Sequence, residues 1–498
     1  MKKMLCIIGV MFTSLISFSQ SSINIRGIHR SSGDSLDIVE VNYPLKTIKI
    51  RMLQTKAVIE RNITWLDVID LYPKDLNGFW QAKALKAGYF QNIQEKGYQY
   101  DLRTELEEDV LQYVQQLQQN GLIFNDSYLE NYLYSLLYKL YPETAHDERQ
   151  GLKSVLVVND ITPNAFMCPN GTILITTGLL STINSEEELV AALAHEVAHY
   201  VLDHSIININ KNLQREKTAL FWATFATAVA AAADIYMTAT NEYYTPGALT
   251  QSTALLSFSI ATLITERLGL KYSREQELEA DQCATDLLKF LNLPPVALSS
   301  VLEKIKRYCI TTGNHAALSG NGTHPNIDAR ISNIGAPTRF TSINYDGTIS
   351  FVLTQNAIFE FNNAHFVVCQ ALVERSINAG TAIEDDYILK AITNLYRFNT
   401  LEKNNEALTL IQKAKNLNVV PSLSTYKYEA LTLIRLNRDA DAIIAMNNYI
   451  LRLNEEANNL EKVKSEAYWA SRFVYLRNER DWASKMIQKL KSNNIKLN

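Results

Sequence analysis

The chain has 498 residues, 47% of them hydrophobic, and a formal net charge of −4 at neutral pH. Its length allows two or three domains, and its composition is that of an ordinary globular protein. The slightly acidic balance and the lack of any basic block argue against nucleic acid as a partner.

The first residues read as an export signal. Lys2 and Lys3 precede an apolar run, Met4 to Ile16, that is short for a membrane span. Ser17-Phe18-Ser19 then places small residues where a signal peptidase cuts, so residues 1–19 are expected to be a signal peptide. Export places the protein in the periplasm or envelope, an oxidising compartment. Cys6 sits ahead of most of the apolar run and leaves with the leader. Cys168, Cys283, Cys309 and Cys369 are too scattered for a zinc knuckle; they allow disulfides or buried free thiols.

Residues 20–60 are expected to form a short β-rich segment, because "LDIVEV" and "KTIKIRML" carry β-branched residues in rough alternation. Helices are predicted over 103–119 and 126–140, broken at Asn120-Gly121. "SVLVVND" and "GTILITT" read as strands.

"ALAHEVAHYVLDH" carries the chemistry. Ser185 to Glu188 has a capping-box pattern, and Leu189, Val190, Leu193, Val197 and Val201 give the following helix an apolar face. His195 and His199, four apart, share a face and suit one metal ion; Glu196 lies about 100 degrees round the helix, placed as a general base. Two histidines leave a catalytic zinc short of a protein ligand. The third-histidine position of a metzincin is Ser205 here, and His204 falls one residue early. His204 is therefore expected to support a ligand or lie at the surface. The best third ligand is in "YSREQELEADQ", where Ser273 and Gln276 form a second capping-box pattern. Glu277 and Asp281 share a face of that helix: the first suits the metal, the second the remaining N–H of a ligand histidine. Glu275 and Glu279 read as solvated side chains.

His195-Glu196-Val197-Ala198-His199, followed by Ser273-Arg274, Glu277 and Ala280-Asp281, resembles the gluzincin family of CAAX prenyl endopeptidases and HtpX-like proteases. Thr323-His324-Pro325 with Arg330-Ile331, and "NAFMCPNGTILITTGLL", are similar to two further elements of that family. The resemblance spans roughly residues 100 to 335. It implies a zinc endopeptidase with one zinc ion held by His195, His199 and Glu277, Glu196 as base, and Asp281 behind the ligands. In such a fold an edge strand beside the ligand helix holds extended substrate, and Thr172, Ile173, Leu174, Ile175, Thr176 and Thr177 are the expected strand. His324 follows a Gly-rich turn and precedes Pro325; it suits either an oxyanion donor or a zinc-binding gate. Arg330 is placed to reach a carboxylate such as Asp281 or a substrate group.

Residues 219–265 hold two nearly uncharged stretches. A pair of packed helices walling the cleft is expected, with a hairpin touching a membrane as the alternative. Residues 351–498 read as helical. "NNEALTLI", "DADAIIAM" and "RDWASKMI" recur around Ala407, Ala442 and Ala483, near a tetratricopeptide period, with small residues at Ala391, Ala430 and Ala470.

The expected fold is mainly α with a small β-sheet (α+β): a zincin-like metallopeptidase domain over 61–345, then a TPR-like helical domain. The expected function is an exported zinc endopeptidase acting on misfolded or assembling envelope proteins, with the tail holding a protein partner. The competing class is a non-catalytic, chaperone-like protein in which the tail does the work.

Overall fold

The computed structural model describes residues 23–42, 45–87, 98–141, 154–211, 218–239, 268, 270–314, 326–462 and 467–495. The expected signal peptide, His324 with its Gly-rich turn, and residues 240–265 lie outside the described residues. The chain divides into two compact units, residues 1–94 with 141–151, and residues 95–140 with 152–498.

The first unit is built on an antiparallel sheet in the order β4-β3-β2-β1-β5. Its strands are β1 (Ile25–His29), β2 (Ser35–Asn42), β3 (Thr47–Met52), β4 (Val58–Asn62) and β5 (Ile69–Pro73). Alternation along the strands buries Ile25, Leu36, Ile38, Ile48, Ile50 and Ile69 on one face. Ala82 and Leu85 of α1 (Leu76–Ala87) close that core. The β-rich segment therefore does not stop at residue 60. β5 pairs with β1 from Ile25↔Pro73 to His29↔Ile69. Its Asp70 and Pro73 hid it from a propensity reading, since both are poor strand formers and Pro is tolerated only at an edge.

The second unit opens with α2 (Tyr98–Gln119) and α3 (Ser127–Leu140). Gly121, at φ +69°, makes the break between them. A small sheet follows, β6 (Ser154–Val158), β7 (Ala165–Met167) and β8 (Thr172–Thr176), in the order β6-β8-β7. β8 runs parallel to β6 and antiparallel to β7. It is the central strand and every residue of it is buried. The expectation that Thr172 to Thr177 form an edge strand for substrate is thus overturned, because both ladders of β8 are already filled. The side chain of Thr176 caps α4 (Thr177–Thr182) by accepting from the Leu179 N–H at 3.0 Å, and Thr177 is already helical. The run "TILIT", three consecutive apolar residues between β-branched threonines, fits a strand covered on both faces.

Four helices surround the site: α5 (Glu186–Val201), α6 (His204–Lys211), α8 (Arg274–Phe290) and α10 (Ile327–Ile334), with α7 (Thr218–Ala239) and α9 (Val296–Thr312) interleaved among them in the chain. α7 buries Phe221, Trp222, Phe225 and Val229 in one cluster with Leu106, Val110 and Tyr113 of α2. Tyr113 meets Phe225 edge-on, with ring centroids 5.3 Å apart. Ala223, Thr224 and Thr227 face out. This is the one-sided pattern of a helix packed on protein. Among the described residues no helix is long and apolar enough to cross a membrane.

The C-terminal part is helical throughout: α11 (Ile343–Thr348), α12 (Ser350–Asn362), α13 (Phe366–Ala379), α14 (Glu384–Arg397), α15 (Leu401–Leu417), α16 (Leu423–Arg435), α17 (Asp439–Lys462) and α18 (Ala467–Ile495). Successive helices pack on one another, and Ala391, Ala407, Ala430 and Ala442 are fully buried at these contacts. Ala470 and Ala483 lie on the single continuous helix α18, so the third of the expected repeat units does not fold as a helical hairpin. No packing break occurs near residue 350. Tyr345 Oη donates to Leu180 O at 2.8 Å, and Asn356 Nδ2 to Ser181 Oγ at 2.8 Å. Arg375 of α13 donates to Ser181 O, to Ile183 O at 2.8 Å, and to Asp346 Oδ1 at 2.7 Å. A boundary at 345–351 therefore cuts through a shared core.

The Arg375 fork is expected to carry much of this joint. Arg375→Ala leaves two backbone carbonyls and Asp346 without their partner, and should destabilise the protein by about 1–3 kcal/mol. Arg375→Lys should recover less than half, because an ammonium cannot reproduce the fork. Urea denaturation of both variants checks this.

Candidate metal centre

α5 is fixed at its start and packed along its length. Ser185 accepts from the Glu188 N–H at 3.3 Å, as an N-cap should. Glu188 does not complete the box. Its fully buried carboxylate accepts from the Asn184 N–H at 2.7 Å and from Lys304 Nζ of α9 at 2.6 Å. The ligand helix is thus tied to α9 by an ion pair at its first turn. Burial pulls the Lys304 ammonium below its usual range, against the opposing pull of Glu188. Ala192, Ala194 and Ala198 of α5 and Ala280 and Ala284 of α8 are all buried, and the two helices lie against each other. α8 begins with a complete capping box: Gln276 N donates to Ser273 Oγ at 3.3 Å, and Ser273 N to Gln276 Oε1 at 2.9 Å.

This packing brings His195, His199 and Glu277 together, all buried. The Nε2 atoms of the two histidines are 3.0 Å apart. Glu277 Oε2 is 3.5 Å from His195 Nε2, and Glu277 Oε1 is 3.5 Å from His199 Nε2. Tetrahedral zinc with bonds of about 2.0–2.1 Å needs donor atoms about 3.3–3.4 Å apart. The donor set and its spacing fit that ion.

The surrounding charges are arranged around these three groups. His195 Nδ1 lies 3.0 Å from Asp281 Oδ1. Arg330 of α10, only 1% exposed, donates from Nη2 to Asp281 Oδ1 at 2.7 Å and from Nε to Asp281 Oδ2 at 2.8 Å. Its Nη1 lies 2.6 Å from Glu277 Oε2. Burial favours a neutral Asp281, but Arg330 and His195 outweigh it and hold the carboxyl below its usual range. Burial and Arg330 oppose protonation of His195, yet Asp281 and Glu277 outweigh them and raise its pKa to about 9. At His199 burial dominates, and its pKa falls well below the ordinary value. Glu196, 4% exposed, sits on the turn after His195. Its charge acts on the neighbouring Tyr272 and Cys168, and burial is the larger cause pushing both of those groups up. Cys168, Cys283, Cys309 and Cys369 are buried free thiols, which leaves no disulfide among them.

Tyr272 and the contact of Glu279 were not legible in the sequence, and His204 takes the first of its two expected places, behind a ligand. Tyr272 stacks on His199, with centroids 3.7 Å apart and planes 13° from parallel. His204 is buried, and its Nδ1 is 2.8 Å from His199 Nδ1. Glu279, read as merely solvated, has a 61% exposed side chain but lies 3.4 Å from His204 Nε2. The pattern of one helix reports which of its residues share a face; it carries no information about a side chain arriving from another element.

The model of Peptidase family M48 matches residues 129–338. The chain is 30% identical over 178 residues to the mitochondrial metalloendopeptidase OMA1 of Schizosaccharomyces pombe, covering 36% of this chain and 44% of that one. It is 29% identical over 153 residues to the protease HtpX of Legionella pneumophila (strain Corby), covering 29% and 50%. It is 26% identical over 194 residues to the beta-barrel assembly-enhancing protease of Escherichia coli (strain K12), covering 39% and 36%. The chain thus spans half or less of the length of each of these relatives. The matched segment contains all of α5, α8 and α10, and residues 129–338 are a peptidase family M48 domain.

Proposed function

We propose that the protein is an exported zinc-dependent endopeptidase. The observation that carries this reading is the buried His195–His199–Glu277 cluster, with donor spacings suited to one zinc ion and with Glu196 adjacent. A zinc ion held there would polarise the scissile carbonyl and bring the pKa of a water toward 7. Glu196 takes the proton from the attacking water and passes it to the leaving amine. Asp281 accepts from His195 Nδ1–H, which leaves the Nε2 lone pair facing the cluster. Arg330 offsets part of the negative charge of Glu277 and Asp281. Three carboxylates, Glu196, Glu277 and Asp281, against one guanidinium leave the pocket favourable to a cation.

The leader reading supports export to the periplasm or envelope. Substrates are polypeptides, with misfolded or assembling envelope proteins as the proposed class; the similarity to a beta-barrel assembly-enhancing protease supports the assembling ones. The helical C-terminal part is proposed as the surface that holds a protein partner. Hydrolysis of an unfolded casein-type protein, abolished by a chelator and restored by zinc, is the direct test; a purified protein with no hydrolysis under any zinc loading would sink the reading.

Glu196→Gln should abolish that hydrolysis while keeping both the fold and the metal, since the amide is isosteric, is not a ligand and cannot act as a base. Metal analysis beside the activity assay checks it. Glu277→Ala should lose the metal, whereas Glu279→Ala should retain it; equal zinc content in the two would contradict the assignment of Glu277.

Zinc uptake should also release protons in a defined way. The pKa of about 9 leaves His195 protonated at pH 7 in the metal-free protein, and coordination needs its lone pair. His199 is already neutral there. Binding should therefore release about one proton at pH 7 and progressively less as pH rises past about 9. Calorimetric titration in buffers of different ionisation enthalpy measures this number.

A further inference from the structure

We infer that His204 and Glu279 form a relay that positions the His199 ring, so that the two ligand histidines are supported by different chemistry. This rests on the zinc reading above. For the His199 Nε2 lone pair to face the ligand cluster, its Nδ1 must carry the hydrogen. That hydrogen points at His204 Nδ1, 2.8 Å away, which must then be an acceptor. The proton of a neutral His204 consequently sits on Nε2, facing Glu279 Oε2 at 3.4 Å. One tautomer of each ring satisfies both contacts at once. His195, in contrast, donates straight to the carboxylate of Asp281.

The backbone is shaped to bring His204 back to the ligand helix. A residue five places after His199 on a continuing helix would point about 140 degrees away from it. The helix instead ends at Val201, and Asp203 takes a left-handed conformation with φ +61°. That conformation is uncommon outside glycine, and Asp is among the residues that tolerate it. Arg103 of α2 pairs with the buried Asp203 carboxylate and holds the turn in place. Gln276 Nε2 reaches His204 O at 3.4 Å, which ties the same residue to the start of α8. Tyr272, immediately before the Ser273 cap, stacks on the face of His199. Tyr272 therefore fixes the plane of the ring, and His204 fixes its rotation within that plane.

The test reads zinc affinity in the full chain by competition with a chromogenic chelator. His204→Gln keeps a polar side chain of similar reach, but its amide oxygen falls at the Nε2 position. His204→Asn places its oxygen at the Nδ1 position and can still accept from His199. The relay predicts a loss of about 10- to 100-fold in zinc affinity for His204→Gln, the usual cost of losing such a partner. It predicts recovery to within about threefold of wild type for His204→Asn, because the accepting atom is retained. Glu279→Ala should weaken binding by less than about tenfold, since that carboxylate acts at one remove and is largely exposed. Thermal unfolding of the metal-free variants checks that each is folded. Equal affinities for His204→Asn and His204→Gln overturn the relay and reduce His204 to packing. A wild-type protein that takes up no zinc overturns the zinc reading and the relay with it, which separates the two failures.

Discussion

Arg330 is the point on which the site depends. One guanidinium, almost wholly out of water, binds both oxygens of Asp281 and one oxygen of Glu277. Burying a carboxylate alone costs several kcal/mol, of order the whole stability of a domain, so neither acid could occupy this position unpaired. The fork geometry settles the arrangement further: two carboxylates one helical turn apart on α8 match a planar donor approaching from α10. The helix that bears the acids, the helix that bears the histidines and the short helix that bears Arg330 are consequently locked into a single geometry. Removing any one of them would strand charge in the others.

The small-residue packing of α5 on α8 serves the same end. α5 and α8 lie against each other and both carry buried alanines, Ala192, Ala194 and Ala198 on the first and Ala280 and Ala284 on the second. Glutamate and histidine reach only a few ångströms from their backbones, so donor atoms 3.0 to 3.5 Å apart require closely approaching helices. The two N-caps, Ser185 and Ser273, then fix where along its axis each helix begins.

Much of this site could be read from the sequence because its information is local. His195 and His199 are related by helical spacing, as are Glu277 and Asp281, and each pair follows a recognisable cap. What escaped is non-local. The partners of β8, β6 and β7, both lie outside it and precede it in the chain, so nothing in "GTILITT" alone tells a central strand from an edge. β5 carries too few strand-forming residues to announce itself, and it is recruited by the free edge of β1. His204 could be read only as support for a ligand or as a surface residue, because the left-handed Asp203 resets the helical phase and residue counting assumes that phase continues. The loose repeat of the C-terminal part predicts helices correctly, but the long α18 shows that periodic small residues do not dictate where a helix stops.

Arg375 joins the C-terminal helices to the backbone at Ser181 and Ile183, and the ligand helix α5 has its cap only two residues further on, at Ser185. Asn184, between them, holds Glu188, and Ser342 N in turn donates to Asn184 O at 2.8 Å. The segment 181–185, from the end of α4 to the cap of α5, is therefore gripped from one side by the helical tail and from the other by the first turn of the helix that carries the histidines. Mechanically it is a short strut, too taut to absorb movement. A force applied to α13 is delivered to the base of α5 rather than dissipated in a loose linker.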